Sequence, residues 1–355
     1  MRKLFGWILV GALIASCGGD GNGGGGWDAK VVFTAPDKIG GLDIGDLDPD
    51  VPGLEVACVL RTGAAWMVGR IEGKWTATPL VKVGGEMLQC AIGDVDERTP
   101  GNELVIAGML SGTEEDGGKG AVYVVAKVDG KWQCKLAWTS SALVHGVTVM
   151  DIDPARSGNE IVAVGFDHAA TIVFRDGDGW GHERAIELSD RGKSVMPRGN
   201  EAIIASSDGT VYALARTGDA WGLEALSLST AGQSRLGVAP DGRIVSAGDD
   251  GVLRLIDGKN LFDIHREGQK LRGAVLADLD PSSPGLEAAT ASYEMTITVL
   301  YPPTAGSGEE WRPEVVFIDT GKFHHLDAGD LIPESPGMEL AGCGYSKNLV
   351  IVSRK

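Results

Sequence analysis

The sequence has few of the residues that build a zinc centre, a redox pair or a helical enzyme domain. Its 355 residues include only 5 cysteines and 6 histidines. No two cysteines have the CxxC spacing, so the sequence does not support a zinc or redox site. After residue 27 no helical period of adequate length occurs, which argues against an α/β fold. No Ser-His-Asp arrangement, glycine-rich phosphate loop or close pair of catalytic carboxylates stands out.

Positive charge is also scarce. The chain has 32 lysines and arginines against 49 aspartates and glutamates, which gives a formal net charge of −17. A surface of this sign repels phosphate backbones and anionic lipid headgroups. We therefore expect no nucleic-acid partner.

Apart from its beginning, the chain has no long hydrophobic run. Residues 4–14 are apolar, follow Arg2 and Lys3, and are too few to span a bilayer. We predict that residues 1–16 are a secretory signal peptide. The segment Ile-Ala-Ser-Cys that ends at Cys17 resembles the bacterial lipobox, and the resemblance implies a lipid attached to Cys17. An ordinary signal peptide with an incidental cysteine is the alternative.

Residues 18–26 read GGDGNGGGG, a composition that cannot pack and is typical of a flexible tether. We assign residues 17–26 to the lipidated cysteine and this tether. Glycine at position 18 resembles lipoproteins that reach the outer membrane, which implies a bacterial cell envelope protein bound to the membrane only through Cys17. Without Arg2 and Lys3, the 30 remaining basic and 49 acidic side chains give a net charge of −19.

An exported protein is free to form disulfides. With Cys17 assigned to lipid, four cysteines remain, and they allow three pairings between which the sequence does not choose. They are Cys58, Cys90, Cys134 and Cys343.

What the chain has instead is a repeat of tryptophans and acidic turns. The separation is 19 residues from Trp27 to Asp46, and it recurs from Trp75, Trp132 and Trp311. The turn reads GDLDPDVPGLEV at residues 45–56 and returns in related form at residues 93–105, 150–162, 277–288 and 329–340. A period of roughly 40–57 residues with only strand and turn signals indicates a propeller.

Seven such units can be counted from their aromatic positions. These are Trp27, Trp75, Trp132, Trp180, Trp221, Phe262 and Trp311. The first strand is aromatic-led, and the last unit has only three strands of its own. We therefore predict an all-β, seven-bladed β-propeller over residues 27–355, closed by the N-terminal strand completing the last blade. Six or eight blades are the alternatives, because the units near residues 199–212 and 240–252 keep only part of the repeat motif.

The acidic turn is similar to the FG-GAP and VCBS-like repeats of integrin-type propellers. It also resembles the blade turns of family 11 rhamnogalacturonan lyases. Both resemblances imply calcium held between two strands of a blade, and calcium prefers several hard oxygen ligands. Two carboxylates two residues apart also repel each other without a cation. The predicted ligands are Asp46, Asp48, Asp50, Asp94, Asp96, Asp151, Asp153, Asp278 and Asp280.

A purely structural turn is the alternative, because aspartates accept backbone N–H bonds in tight loops. The positions at which the closing glutamate occurs favour a structural role for this residue. Glu201 and Glu339 persist where the aspartate pair is absent or half lost. We therefore predict that the glutamate holds backbone groups and that the aspartates hold the cation.

The face opposite the acidic turns is the predicted ligand-binding face. His145, Arg272 and His324 each precede the first aspartate of their turn by six residues, so they occupy equivalent positions on three blades. The equivalence of the two histidines also raises the hypothesis of a metal bound between them. The predicted residues of this face are Arg61, His145, Asp167, His168, Arg272, Glu294, His324, His325, Tyr345 and Lys347.

These features favour a non-enzymatic binding module for a protein or a glycan, stabilised by calcium. The lyase resemblance implies a carbohydrate-active enzyme as the alternative. In that enzyme His145, His324 or His325 would be the base that takes a proton from a uronic acid. An assembly scaffold in the cell envelope is a further alternative. The resemblance lies in blade turns, which carry architecture more than activity.

Overall fold

Short alternating runs of valine, isoleucine and alanine, separated by glycine and aspartate turns, form an all-β chain. The computed structural model describes residues 26–112, 118–304 and 306–355, and within them it has 28 strands and no helix. The predicted signal peptide, Cys17 and the tether up to residue 25 lie outside the described residues. Within the described ranges, no helix is long and apolar enough to cross a membrane.

The strands form seven four-stranded antiparallel sheets, which are the blades. Blade 1 consists of β2 (Ile39–Gly45), β3 (Glu55–Leu60), β4 (Ala64–Ile71) and β5 (Lys74–Lys82). Blade 2 consists of β6 (Glu86–Gly93), β7 (Glu103–Ser111), β8 (Lys119–Val128) and β9 (Lys131–Ser140). Blade 3 consists of β10 (Val144–Met150), β11 (Glu160–Gly165), β12 (Ala169–Asp176) and β13 (Gly179–Glu187). Blade 4 consists of β14 (Gly192–Arg198), β15 (Glu201–Ser206), β16 (Thr210–Thr217) and β17 (Ala220–Leu228).

The last three blades follow the same order. Blade 5 consists of β18 (Gln233–Val238), β19 (Ile244–Gly248), β20 (Val252–Asp257) and β21 (Asn260–Arg266). Blade 6 consists of β22 (Leu271–Ala277), β23 (Glu287–Ser292), β24 (Thr296–Tyr301) and β25 (Arg312–Ile318). Blade 7 consists of β26 (Phe323–Gly329), β27 (Glu339–Gly344), β28 (Asn348–Arg354) and β1 (Trp27–Thr34).

The N-terminal strand closes the ring. β1 pairs with β28, with Trp27 opposite Arg354 and Thr34 opposite Asn348. Trp27 is fully buried, and its indole Nε1 donates a hydrogen bond of 3.1 Å to the hydroxyl of Tyr301 in blade 6. The predicted seven-bladed propeller and its closure by the first strand are both confirmed.

The hydrophobic core lies between neighbouring blades. Second strands such as β3 and β11 are buried along their whole length, whereas the outermost strand β5 alternates between exposed and half-buried residues. Around the channel, the backbones of innermost strands from neighbouring blades lie in contact with each other. A Cβ on Gly41 would lie 2.6 Å from the carbonyl oxygen of Leu88 in blade 2, so only glycine fits there. The core therefore holds the ring together blade by blade.

Each innermost strand has a β-bulge at the same place near its start. We call the seven unpaired residues the bulge ring: Gly40, Leu88, His145, Lys193, Ser234, Arg272 and His324. The acidic turns follow the other end of the innermost strands. The propeller thus has a turn face, which carries the acidic turns, and a bulge face, which carries the bulge ring.

Candidate functional site

On the turn face, a buried glutamate closes each of the five acidic turns. Glu55 Oε2 accepts hydrogen bonds from the backbone N–H groups of Leu47 (2.8 Å) and Asp48 (3.1 Å). The same pair of bonds is made by Glu103, Glu160, Glu287 and Glu339. The predicted structural role of this glutamate is confirmed in these turns, including the one at Glu339 where the aspartate pair is half lost.

Glu201 does not share this role. In blade 4 the turn is a two-residue hairpin in which Arg198 pairs with Glu201 across the strands. The carboxylate of Glu201 forms an ion pair of 2.8 Å with the guanidinium of Arg198 and accepts none of the turn's backbone N–H bonds. The turn there is too short to leave N–H groups for a glutamate to hold.

The second oxygen of each turn glutamate has no partner. Oε1 of Glu55 and of Glu103 is buried without a hydrogen bond among the described residues, and the other three turn glutamates repeat this. Burial first, and the nearby turn aspartates second, raise the pKa of Glu55 and of Glu103 to about 7. The pKa values of Glu160, Glu287 and Glu339 shift in the same direction for the same leading reason.

The turn aspartates do have basic partners, which come from the next blade. Lys127 in β8 places its Nζ 2.5 Å from Asp48 Oδ1 and 2.8 Å from Asp50 Oδ2 of blade 1. The other complete turns receive an arginine from the third strand of the following blade: Arg175 at Asp96 (3.6 Å), Arg216 at Asp153 (3.9 Å) and Arg354 at Asp280 (2.8 Å). Two turns also contain a basic partner of their own, because Arg98 pairs with Asp96 (2.8 Å) and Arg156 with Asp153 (3.6 Å). Basic side chains therefore offset the repulsion between the turn carboxylates without a metal ion.

Each of these basic side chains also lies over a tryptophan ring of its own blade. Lys127 Nζ lies 5.9 Å from the centre of the Trp132 ring. The corresponding distances are 4.7 Å for Arg175 and Trp180, 4.8 Å for Arg216 and Trp221, and 5.1 Å for Arg354 and Trp27. The repeated tryptophan thus contacts, through one cation, the acidic turn of the preceding blade.

Two aromatic positions differ in register from the sequence count. In blade 5 the residue opposite Ile256 is Leu261, and Phe262 is its half-exposed neighbour. In blade 6 the pair is reversed, because Arg312 stands opposite Tyr301 and its guanidinium lies 4.1 Å from that ring centre. Trp311 directly precedes β25 and lies outside the strand.

The turn aspartates do not form a calcium ligand set in this geometry. Among the residues that the structure describes, no group of three or more His, Cys, Asp or Glu side chains could hold a metal ion. The buried second aspartates face an ammonium or guanidinium, and the first aspartates Asp46, Asp151 and Asp278 are exposed. The donor set therefore fits a basic side chain better than calcium. Calcium binding stays a prediction that metal analysis must test.

On the bulge face, two predicted histidines connect neighbouring blades. His145 Nδ1 lies 2.7 Å from the carbonyl oxygen of Lys193, and His324 Nδ1 lies 2.5 Å from that of Gly40. Each Nδ1 therefore donates its proton to the next member of the bulge ring. Burial is the main cause that lowers the pKa of both imidazoles well below the usual value. Nothing in this geometry supports a metal between them.

The most deeply buried cation of the bulge face is Arg235, which the sequence reasoning missed. Arg235 directly follows Ser234 of the bulge ring and is 3% exposed. The residues at the same position of blades 1, 3 and 6 are Gly41, Gly146 and Gly273, so these three blades place no side chain there. The sequence signal that could have identified Arg235 is its position, directly after Ser234, which is equivalent to His145.

The guanidinium of Arg235 is poorly satisfied. Nη1 donates to the carbonyl oxygen of Ser234 (2.8 Å), while Nε is buried and has no hydrogen-bond partner among the described residues. Nη2 lies 3.5 Å from His324 Nδ1, which already donates its proton to Gly40. Burial, followed by repulsion from Arg272, lowers the pKa of Arg235 to about 10.

A recess of about 240 Å³ opens above Arg235. Its lining consists of His145, Lys193, Ser234, Arg235, Asp249, Arg272 and His324. Arg272 Nη1 donates to Asp249 Oδ1 (2.7 Å) and to Ser234 Oγ (3.0 Å), so the only carboxylate of this lining is already paired. The recess thus combines several cations with two uncharged histidines.

Two tyrosines with basic neighbours form the rim of the recess on blades 6 and 7. Arg61 Nη1 donates to the hydroxyl of Tyr345 (2.9 Å), and the Tyr345 ring lies 5.8 Å from that of His324. Arg272 lies 5.0 Å from the centre of the Tyr293 ring, which packs edge-on against Tyr345. Lys38 and Lys322 lie over the same two rings.

Half of the predicted ligand-face residues lie outside the recess and its rim. Asp167 accepts a hydrogen bond from Ser140, and His168 is its neighbour in a tight turn with φ of 58°. Glu294 accepts the backbone N–H of Gly268, and Lys347 donates to the carbonyl oxygen of Pro36. His325 points along the channel, where its Nδ1 accepts the N–H of Leu42 and burial lowers its pKa to about 3. The structure brings together Arg61, His145, Arg272, His324 and Tyr345.

None of the disulfide pairings is present. Cys58, Cys90 and Cys343 are buried free thiols, and Cys134 is a half-buried free thiol. Burial raises the pKa of Cys58 to about 12 and that of Cys134 to about 11.

The fold is similar to solved WD40 propellers. The WD40 β-propeller domain of Doa1 superimposes with a TM-score of 0.63 at 13% identity, over 92% of this chain and 97% of that chain. The RRP9 WD40 repeats give 0.66 at 13% identity, and U3-55K gives 0.65 at 12%, each over 92% of this chain and 98% of the other. No protein-family model and no curated protein sequence matches the chain. These likenesses support the β-propeller fold and assign no family, while the FG-GAP, VCBS and lyase resemblances stay predictions.

Proposed function

We propose that this propeller is a non-enzymatic binding module whose bulge face receives an acidic surface of a partner protein. The observation that carries the proposal is a concentration of basic side chains in a strongly acidic chain. Seven of them surround the channel mouth: Lys38, Arg61, Arg191, Lys193, Arg235, Arg272 and Lys322. A basic patch on an acidic protein attracts a partner surface of complementary, acidic charge.

The aromatic rings at the mouth support a recognition surface. Tyr293, Tyr345 and Phe166 each lie beneath two basic side chains, so flat apolar faces and positive charges alternate around the opening. Tyrosine and arginine are enriched at the energetic centres of protein interfaces. The WD40-type fold is consistent with a protein-interaction role. A glycan bearing carboxylates is the alternative ligand.

We also propose that the module is exported and attached to a bacterial envelope membrane, the outer membrane, through lipid on Cys17. The support is the sequence of residues 1–26 alone. Metabolic labelling with a fatty acid tests it. Label on the full chain and none on a Cys17→Ser variant is expected, whereas an unlabelled, cleaved chain would identify an ordinary signal peptide.

Binding is tested with charge reversal on the two faces. We expect Arg61→Glu with Arg272→Glu to abolish cross-linking of the full chain to its envelope partners. Lys74→Glu with Lys131→Glu places the same charge change at the start of two outermost strands, away from the mouth, and we expect it to retain the cross-links. Equal cross-linking by both variants would contradict the proposed working face.

The enzyme alternative is tested separately. Incubation of the full chain with pectic polymers is expected to give no unsaturated products. Products that form with the wild-type chain and are lost in His145→Ala would replace the binding module by a lyase.

A further inference from the structure

We propose that the recess above Arg235 is a subsite for a single carboxylate group, and that Arg235 is its buried contact. The proposal deepens the proposed function, because it names the chemical group of the partner that enters the channel mouth. It does not depend on which molecule carries that group.

Burial of a guanidinium is costly unless its charge and its N–H groups are compensated. Arg235 is 3% exposed and makes no ion-pair contact with a carboxylate of the described residues, and Asp249 acts on it only through its longer-range charge. The nearest carboxylate of the recess, Asp249, contacts Arg272 at 2.7 Å and Lys270 at 3.9 Å. A guanidinium has five N–H donors, and here one nitrogen makes a well-formed bond, to Ser234. The fold therefore holds a desolvated positive charge that lacks a counterion.

The unsatisfied nitrogens lie on one edge of the guanidinium. Nη1 is engaged with the backbone, Nε has no acceptor, and Nη2 has only the 3.5 Å contact with His324 Nδ1, whose proton is donated to Gly40. These two nitrogens form the side-on edge of an arginine, whose parallel N–H bonds match the two oxygens of a carboxylate. Gln89, at the same position of blade 2, has an unpartnered Oε1, which is able to accept a hydrogen bond from a ligand but not to bind an anion.

The surroundings favour one negative charge in a small volume. Lys193 lines the recess with its ammonium over the ring of Phe166, and Arg272 lies at the rim. His145 and His324 add no charge near neutral pH, because burial lowers their pKa values. The volume of about 240 Å³ includes space open to solvent, so the recess admits the carboxylate end of an aspartate, a glutamate, a chain terminus or a uronate, but no folded loop. An acidic side chain of a protein partner is the occupant that the basic rim favours.

The test measures binding of small carboxylates to the full chain by calorimetry and by thermal shift, at constant chloride. The probes are acetate, glutarate, galacturonate and inorganic phosphate. We expect glutarate to bind with a millimolar dissociation constant and to raise the melting temperature, as a ligand of the native state must. Arg235→Gln is expected to weaken glutarate binding at least about tenfold. Arg235→Lys keeps the charge and loses the paired donors, so it is expected to weaken glutarate binding about threefold.

Arg70→Gln is the matched control. Arg70 is a half-buried arginine that pairs with Glu334 on the turn face, far from the recess. Its variant is expected to bind glutarate like the wild type. Because Arg235→Gln could fail to fold, Lys193→Gln gives a second measurement at a half-buried position, with an expected loss of about threefold. Unchanged binding in folded Arg235→Gln, or in Lys193→Gln where Arg235→Gln does not fold, would overturn the subsite. Absence of any carboxylate binding, or phosphate bound tenfold more tightly than glutarate, would also overturn it.

The outcome also separates the subsite from the proposed function. Galacturonate bound tenfold more tightly than glutarate would support the carboxylate subsite and make a glycan its carrier. Glutarate binding that needs Arg235, combined with cross-links that survive charge reversal of the mouth, would keep the subsite and refute the proposed function. Cross-links lost on charge reversal, without any carboxylate binding, would do the opposite.

Discussion

Lys127 of blade 2 neutralises the acidic turn of blade 1, because its Nζ lies 2.5 Å from Asp48 Oδ1 and 2.8 Å from Asp50 Oδ2. The ammonium also lies over the ring of Trp132, which stands opposite Lys127 on the neighbouring strand. One lysine thus joins two blades through a carboxylate pair and an aromatic ring. The same three-part contact recurs at three arginines, so the repeat is a device for joining blades.

We expect Lys127→Met to lower the free energy of unfolding by about 1–2 kcal/mol. The methionine keeps the contact with Trp132 but leaves Asp48, which is 6% exposed, without its counterion. Urea denaturation followed by tryptophan fluorescence measures the change. Lys131→Met is the control, because Lys131 is exposed and forms no ion pair within the described ranges. An equal loss in both variants would show that the ion pairs contribute nothing.

The role of calcium is tested on the wild-type chain and on Lys127→Met. We expect a chelator to leave the melting temperature of the wild-type chain unchanged, because basic side chains already neutralise the aspartates. In Lys127→Met the pair Asp48 and Asp50 is free to bind a cation, so added calcium is expected to recover part of the lost stability. A wild-type melting temperature that falls with chelator and returns with calcium would restore the calcium prediction from the sequence.

A buried tryptophan anchors the strand that closes the ring. Trp27 is fully buried, donates to the hydroxyl of Tyr301 and lies beneath the guanidinium of Arg354. We expect Trp27→Ala to lower the free energy of unfolding by about 3–5 kcal/mol. Trp75→Ala is the control, because Trp75 is only half-buried on an outermost strand and no cation lies over its ring among the described residues. A smaller loss at Trp27 than at Trp75 would contradict the role of the seam.

The architecture was predictable because each blade is local in sequence. Tight turns and alternating strands pair neighbours along the chain, and only β1 pairs across the whole length. The role of the turn glutamate was predictable too, since Glu339 persists where the second aspartate has become Ile332. In both cases the signal lies within a dozen residues.

The interblade partners of the aspartates were not predictable, because they come from the next blade, whereas Arg98 and Arg156 lie within the turns that they neutralise. Lys127 is 79 residues from Asp48 in sequence, and nothing in the turn indicates its approach. Arg235 was missed for a related reason. A bulge in each innermost strand decides which residue enters the channel, and the sequence does not show the bulge. The one-residue offset at Phe262 has the same origin in strand register.

The four cysteines give a prediction about reactivity. Cys58, Cys90 and Cys343 are buried free thiols, and burial raises their pKa values, so little thiolate exists at neutral pH. We expect an alkylating reagent to leave these three unmodified in the native protein and to modify all of them in denaturant. Half-buried Cys134 is expected to react at an intermediate rate. Mass spectrometry without reductant that detects a disulfide among them would contradict the arrangement.

The turn glutamates give a prediction about pH. Glu55 is fully buried, and burial raises its pKa to about 7 in the folded chain. A carboxyl whose folded pKa is raised contributes stability that is present below its unfolded pKa and is lost as the pH rises through about 7. Other groups oppose this trend, because the buried histidines His145 and His324 lose their destabilising effect over the same range. A difference between two proteins is therefore needed.

That difference is provided by Glu55→Gln, whose amide oxygen still accepts both backbone N–H bonds and does not ionise. At about pH 5 we expect the wild-type chain to have a higher free energy of unfolding than the variant. We call this difference the gap, and we expect it to become smaller by about 2 kcal/mol between pH 5 and pH 8. Glu224→Gln, at an exposed position of β17, is expected to show a gap independent of pH. Urea denaturation at four pH values measures both gaps. A Glu55→Gln gap that stays constant, or widens as the pH rises, would mean that this glutamate is ionised at little cost inside the turn.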